Sequence, residues 1–430
     1  MNEQKRATLC TLGCRLNQSE TAIIEDRLRA AGYAIVPFGE PADLCIVNTC
    51  TVTAEADAKS RKLIRSFVRD NPDAFTAVIG CYSQMGYKAL AEIDGVDLIL
   101  GNQEKLNVLD YAAQGKTGAP LIVRDHIQRD DFTIEVGGEG AFSRRANLKV
   151  QDGCNFMCSF CIIPFARGRA RSREMSNLLD EARQLAARGV KEIVLTGVNI
   201  GTYDSQEQTV VDIVERLNEI DGVERIRISS IEPTTIPESL FALMRDPNHA
   251  LVPYLHIPLQ SGSNTVLGLM KRRYTREQYL DFVRCADANV PGLCIGTDIM
   301  VGAPGEGEAE FEETRALLED SPLAYAHVFK YSARAGTPSV RLPGKVSPEE
   351  QNRRSAILRR LSEQKRRAFH QSFLGTVQDV LFEECVDGYW SGYTGNYMRV
   401  AACSSERLEN SVRPVELERL CGDFILGEVQ

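Results

Sequence analysis

Cys154-Asn155-Phe156-Met157-Cys158-Ser159-Phe160-Cys161 is the stretch that decides the fold, and it follows directly on a strand-like run, Asn147-Leu148-Lys149-Val150-Gln151. The spacing CxxxCxxC puts three thiolates on one short loop. Iron–sulfur clusters are normally held by four cysteines. A set of three therefore clamps three irons of a cubane 4Fe–4S cluster and leaves the fourth iron with an open position, on which a substrate or cofactor is ligated and reduced. Zinc fits less well, because its sites come as CxxC pairs with a second pair or histidines at a distance, and no such partner follows here. A ferredoxin-type carrier would carry C-x2-C-x2-C-x3-C-P, which is absent.

With an aromatic residue two places after the middle cysteine, the loop closely resembles the signature of the radical S-adenosylmethionine (SAM) enzymes. The resemblance implies that the open iron chelates the amino and carboxylate groups of SAM. It also implies that the cluster passes one electron to the sulfonium, releasing methionine and a 5′-deoxyadenosyl radical. The segment around the loop, about 141 to 345, runs strand then helix through NLKVQ, KEIVLTG, RIRISSIE, YLHIPLQ, CIGTDIMVG and AYAHVFKY. Six such units predict a partial (β/α)6 barrel with its chemistry at the strand C-termini, where the cysteine loop already lies. Other strand ends carry Thr196-Gly197, Ser229-Ser230, Glu232, His256, Asp298 and His327. Thr196, Gly197, Glu232 and Asp298 are the candidate SAM contacts. Glycine permits close backbone approach, and either carboxylate suits ribose hydroxyls or the methionine amino group. Rim solvation and helix capping are the competing readings for each.

Upstream, residues 1–140 alternate apolar strands (ATLCTLG, AIVPF, DLCIVNT, AFTAVIG, VDLILG) with helical patterns from Ser19 to Ala30, through Phe67, and near Met85–Ala91. Ser19 and Thr53 read as helix N-caps and Asn71-Pro72 as a stop. Alternation of this kind predicts an open parallel α/β sheet. Three of its strands end in cysteine, at Cys14, Cys50 and Cys81. Ligands bind beyond the carboxyl ends of such strands, so these thiols can meet as a second three-thiolate site. They can equally be small buried hydrophobes, and position alone leaves both readings open. Cys10, Cys45, Cys285, Cys294, Cys385, Cys403 and Cys421 are expected to be buried hydrophobes.

Downstream, a helix near Pro348 is basic: Lys345 to Phe373 hold eight Lys/Arg against three Glu. Arg144, Arg145, Lys149, Arg167, Arg169, Arg171 and Arg173 face only Asp152 and Glu174 between Ala141 and Met175. Such patches neutralise phosphates or simply form a solvated face. Residues 374–430 turn to short strands that predict a small all-β barrel. The whole is therefore an α/β multidomain chain with boundaries near 140/141 and 373/374.

The 430 residues fit two to three domains. The 43% hydrophobic content is ordinary for a soluble protein. No apolar run is long enough to span a membrane and the start, MNEQKRATLC, has no signal-peptide stretch, which predicts a cytoplasmic protein without membrane contact. Thirteen cysteines in a reducing compartment then argue for metal ligation or buried thiols. The net charge of −9 gives no global sign of nucleic acid.

TLGCRLNQSE, VNTCTVTAEAD, IGCYSQ, CNFMCSFCIIPFARGRARSR, HIPLQSGS and GTDIMVGAPGE together resemble the methylthiotransferases, over essentially the whole chain. The resemblance implies two 4Fe–4S clusters, with Cys14, Cys50 and Cys81 as auxiliary ligands and Cys154, Cys158 and Cys161 as ligands of the SAM cluster. It implies an N-terminal methylthiotransferase domain, a radical-SAM barrel and a C-terminal TRAM barrel. The implied reaction activates carbon 2 of a base by hydrogen abstraction, adds sulfur held on the auxiliary cluster and takes the methyl group from a second SAM. GCRLNQSE, IPFARGRARSR and GYTGNYMRV favour the type acting on threonylcarbamoyladenosine of tRNA, with a flavodoxin- or ferredoxin-like electron donor. From Thr376 to Gln430 there are four Arg and no Lys against ten Asp/Glu, unlike a basic RNA-binding module. Phosphate contacts are accordingly expected from the basic helix and the arginines after Cys161, and base stacking from Tyr389, Trp390, Tyr393 and Tyr397. The alternatives are a methylthiotransferase acting on an aspartate of a ribosomal protein, which the acidic barrel suits, and a non-catalytic two-cluster electron-transfer or redox-sensing protein.

Overall fold

The structure, a computed structural model, describes residues 4–135 and 145–430. The expected boundary at 140/141 and Arg144 lie outside the described residues.

The first segment is a six-stranded, wholly parallel sheet. Its strands are β1 (Arg6–Thr11), β2 (Ala34–Ile35), β3 (Leu44–Thr49), β4 (Phe75–Gly80), β5 (Leu98–Leu100) and β6 (Leu121–Val123), in the order β2-β1-β3-β4-β5-β6. Every residue of β3 is buried, as expected of a strand covered on both faces. Helices α1 (Arg15–Ala30), α2 (Ala54–Asp70) and α3 (Cys81–Ala91) cross between strands, with α4 (Val108–Ala112) near the last. Ile24 and Leu28 pack on one face of the sheet, Ile64 and Phe67 on the other.

Three expectations are corrected here. Ser19 is no cap: α1 starts at Arg15 with Cys14 as N-cap, and Ser19 is buried inside it, its hydroxyl turned back to Leu16 O at 3.0 Å, a bond serine makes readily within helices. The AIVPF strand stops at Ile35, because Pro37 cannot donate to a ladder. The third helix begins at Cys81 rather than near Met85, since Gly80 (φ 98°) makes the turn one residue earlier. Thr53 does cap α2, its side chain accepting from Ala56 N at 3.1 Å.

The second segment carries all six expected strands: β7 (Arg145–Lys149), then, after the short antiparallel pair β8 (Gln151–Asp152) and β9 (Arg171–Ser172), β10 (Glu192–Thr196), β11 (Arg225–Ile228), β12 (Tyr254–His256), β13 (Cys294–Val301) and β14 (Tyr325–Lys330). Two parallel triplets, β7-β10-β11 and β12-β13-β14, are joined where Ile226 N donates to Ala250 O at 2.8 Å and Val252 N to Ile226 O at 3.0 Å. Among the described residues β7 and β14 are unpaired edges, so the barrel is open on one side. Its helices are α5 (Ile163–Ala166), α6 (Met175–Ala187), α7 (Val210–Asn218), α8 (Ser239–Arg245), α9 (Asn264–Leu269), α10 (Arg276–Asn289) and α11 (Glu308–Asp320), over one continuous apolar core.

Helix α12 (Pro348–Gln371) is capped by Ser347 with Pro348, Glu349 and Glu350 in its first turn, the favoured N-terminal chemistry. It leads to β15 (Val377–Val386), β16 (Tyr389–Thr394), β17 (Arg399–Cys403), β18 (Val412–Cys421) and β19 (Phe424–Val429), closed as β15-β16-β17-β19-β18. No helix of the described residues is long and apolar enough to cross a membrane.

Candidate two-cluster site

Strands β1, β3 and β4 are neighbours in the sheet, so the loops at their carboxyl ends carry Cys14, Cys50 and Cys81 side by side. An amide and a hydroxyl side chain tie these strand ends together. Asn17 Nδ2 donates to Leu12 O at 2.7 Å and Thr49 O at 3.0 Å, and Thr49 Oγ1 donates to Ile79 O at 2.6 Å. At Gly13 (φ 100°) a Cβ would lie 2.7 Å from Cys50 Cβ and 2.9 Å from its sulfur. Asn102 Nδ2 lies 3.6 Å from Cys81 Sγ. Cys50 and Cys81 are buried and Cys14 is exposed. Burial pushes the Cys50 thiol up to about 11, and the nearby sulfurs of Cys81 and Cys14 add to the shift. Gly13→Ala forces both a strained φ and this collision, so we expect a loss of about 1–3 kcal/mol, checked by urea denaturation, together with a fall in iron bound per chain.

The second trio lies on the loop after β8. Gly153 (φ 71°) turns under the Arg169 carbonyl, where a Cβ would sit 2.0 Å from the oxygen. Cys154 N donates to Gly168 O at 3.1 Å, Cys161 N to Cys158 O at 3.1 Å and Ser159 N to Met270 O at 3.0 Å. Met157 takes a left-handed φ of 53°. Arg272 donates from Nη1 to Cys158 Sγ at 3.2 Å and pairs through Nη2 with Glu232. Burial pushes the Cys161 thiol up to about 12, with Cys158 and Cys154 adding to the shift.

Of the four candidate SAM contacts, Thr196 is buried and its hydroxyl bonds Val194 O of its own strand at 3.0 Å, so it offers no free group. Gly197 makes room for Gln151, whose Oε1 accepts from Val198 N and Asn199 N. Glu232 is engaged by Arg272, while burial pushes its carboxyl up. Asp298 Oδ1 lies 3.0 Å from His256 Nε2. The two carboxylates are close enough for Asp298 to add to the upward shift of Glu232. Glu232 and Asp298 therefore converge near the cysteine loop; Thr196 and Gly197 serve the strand end itself.

Sequence reading missed a buried cage of charge between the two trios. Glu20 of α1 receives Lys105 at 2.5 Å, Lys149 at 2.7 Å and Arg167 at 3.2 Å. Asp152 receives Lys149 at 2.6 Å, Arg167 at 3.0 Å and Arg171 at 3.7 Å. Arg167 also donates to Asn17 Oδ1 at 2.6 Å and feels the Cys81 and Cys14 sulfurs. Burial works to raise the Glu20 carboxyl, but Arg167, Lys105 and Lys149 override it and hold it well below the usual range.

The cage corrects the expected phosphate patch: Lys149, Arg167, Arg171 and Arg173 are buried among carboxylates, Arg145 is held by Glu383 at 2.6 Å, and Arg169 is left exposed. On α12, Arg353 and Arg354 pair with Glu306, Glu308 and Glu350, whereas Arg360 and Arg367 stay exposed without an ion pair among the described residues. Tyr393 and Tyr397 stack on each other at 5.0 Å against the barrel, and Tyr389 stays exposed. Cys45 and Cys294 are the buried hydrophobes expected; Cys10 and Cys421 are half-buried, and Cys285, Cys385 and Cys403 are exposed.

The chemistry of both donor sets fits a cubane: cysteine sulfurs alone, three to a set, each set gathered at strand ends. No group of three donors among the described residues closes tightly enough to hold a single ion, and a cubane does not ask for that, since each sulfur binds a different iron. Residues 148–318 match the Radical SAM superfamily, and residues 6–101 match an uncharacterized protein family, UPF0004. The chain is 38% identical, over 95% of its length and 92% of the relative's, to the threonylcarbamoyladenosine tRNA methylthiotransferase MtaB of Bacillus subtilis. It is 34% identical to the tRNA-2-methylthio-N(6)-dimethylallyladenosine synthase of Roseobacter denitrificans, over 89% of each. Its fold is similar to that of the radical SAM methyltransferase TsrM of Kitasatospora setae, with a TM-score of 0.55 at 16% identity over 78% of this chain and 75% of that one.

Proposed function

We propose, from the premise that this chain belongs to the methylthiotransferase family of radical SAM enzymes, that it adds a methylthio group to carbon 2 of threonylcarbamoyladenosine beside the anticodon of tRNA. The observation that carries this reading is the near full-length similarity to the Bacillus subtilis enzyme. Cys154, Cys158 and Cys161 hold one 4Fe–4S cluster with SAM, and Cys14, Cys50 and Cys81 hold the other. The convergence of each trio at strand carboxyl ends supports the assignment. Bound there, the clusters and SAM supply one-electron cleavage of the sulfonium, the sulfur atom and the methyl group. The chain's own residues orient and enclose. Arg272 fixes Cys158 and Glu232 in one hydrogen-bonded unit. Glu232 and Asp298 are the carboxylates available to SAM at the barrel mouth. The charge cage fixes the first segment against the second, and with it the spacing of the two trios.

The domains are 1–140, 141–373 and a TRAM barrel at 374–430, working in the cytoplasm with a flavodoxin- or ferredoxin-like electron donor. Two of the ten acids of the last barrel, Glu383 and Asp423, pair with Arg145 and Arg366 of the second segment and so tie the barrel to it.

Digestion of bulk tRNA from cells lacking the gene tests the reading. Loss of 2-methylthio-threonylcarbamoyladenosine, with its unmethylthiolated precursor accumulating, is expected. Unchanged tRNA nucleosides beside an altered ribosomal protein would overturn it, and so would reversible reduction without any 5′-deoxyadenosine from SAM.

A further inference from the structure

Toward the amino ends of β12, β13 and β14 lies a cavity of about 490 Å³ lined by residues of all three segments, Tyr254, Cys294 and Tyr325 among them. This is the size of a pocket for a small polar ligand. Its charge is one-sided. Arg15, Arg366 and Arg399 line it against the single carboxylate of Asp423. That carboxylate is taken by Arg366 at 2.9 Å. Arg15 donates to Tyr397 Oη at 3.0 Å, while the exposed Arg399 has no ion pair or side-chain hydrogen bond among the described residues. Tyr397 holds a left-handed φ of 68°, a conformation that costs a non-glycine residue energy and persists only where surroundings impose it. The strained backbone aims its ring between Tyr393 and Tyr254, with ring centroids 5.0 and 5.2 Å away, as a fixed aromatic wall.

The cavity is connected to the chemistry by touching groups. His256 lines it and lies 3.0 Å from Asp298. Asp298 neighbours Glu232, which Arg272 ties to Cys158. Cys294 and Asp298 are four residues apart on β13 and so face the same side of the strand. The same face of β13 thus runs from Asp298 near the cysteine loop to Cys294 in the cavity wall, beside the guanidinium groups.

We propose that this cavity receives the anionic amino-acid tail of the substrate nucleoside, its carboxylate bound by Arg399 and Arg366 and its aliphatic part against Tyr397. The proposal rests on the function given above and adds what reads the substituent. A guanidinium–carboxylate pair is among the stronger directional contacts, and Arg399 has no carboxylate partner of its own among the described residues.

The test is binding by the anaerobically loaded full chain to two anticodon stem-loop RNAs, identical except that one carries threonylcarbamoyladenosine and the other adenosine. Wild type is expected to prefer the modified RNA. Arg399→Gln, at an exposed and unpaired position, is expected to lower that preference on the order of tenfold with the affinity for plain RNA unchanged, and Arg366→Gln to do so independently. A preference retained by both variants overturns the cavity assignment, as does equal weakening toward both RNAs, which would mark a backbone phosphate contact. No preference in wild type itself overturns the functional reading instead.

Discussion

Cys50→Ala is expected to abolish the methylthio product while leaving 5′-deoxyadenosine formation in place, at least in part; Cys158→Ala is expected to abolish both. The reason is the separation of the two trios onto different sheets. Cys50 ends β3 of the open sheet, where its neighbours are Cys14, Cys81 and Gly13. On the proposed assignment its loss removes one of three tethers from that site, and it leaves the loop at 154–161, with its bonds to Gly168, Met270 and Arg272, as it was. Cys158 is the middle cysteine of the other trio and the one that Arg272 touches, so on the proposed assignment its loss disables SAM cleavage. Iron content should fall from about eight to about four per chain in either variant, because each cubane holds four irons. Product analysis under anaerobic turnover, by nucleoside digestion and by chromatography of SAM fragments, checks the division. If both variants lose both products alike, the two sites are not separate in function.

Arg167→Met is expected to destabilise the protein far more than the removal of a surface charge. Arg167 is fully buried and bonds Glu20, Asp152 and Asn17 at once. Removing one partner of a buried ion network leaves uncompensated charge and typically costs about 3–5 kcal/mol. Lys116 pairs with Asp97 at 3.7 Å from a position 40% exposed, and exposed pairs contribute roughly 0–1 kcal/mol, so Lys116→Met is the matched control. Urea denaturation of the two variants beside wild type measures the difference. Equal midpoints for both would mean that the cage contributes no more than a surface pair.

Much of the architecture is legible in the sequence because its signals are local. The runs LCIVNT and FTAVIG are buried parallel strands, as unbroken apolar patterns predict, and CxxxCxxC states its chemistry within eight residues. The strand-end cysteines needed the order β1-β3-β4 before their positions meant one place. The short strand β6 escaped notice, since Leu121 and Ile122 form a largely exposed edge. The charge cage escaped altogether. Counting charge along the chain makes Lys149 and Arg167 a basic patch, because their partner Glu20 lies 129 and 147 residues away. Arg272, inside KRRYT, reads as one more surface arginine until the fold sets Cys158 and Glu232 beside it.

The inward arginines of the open barrel do not stop at its floor. Arg225 donates to the carbonyls of Tyr393 and Asp379 at 2.7 Å, and Arg227 to that of Gly395 at 2.8 Å, while Glu383 grips Arg145. The closing module is thus keyed into its host through main-chain oxygens that any sequence supplies and through two carboxylates, Glu383 and Asp423, that only some do. Grafting that module from a relative with another nucleoside preference would seat on the first kind of contact and fail on the second, so a transplant that includes matching acids at positions 383 and 423 is the one that should take.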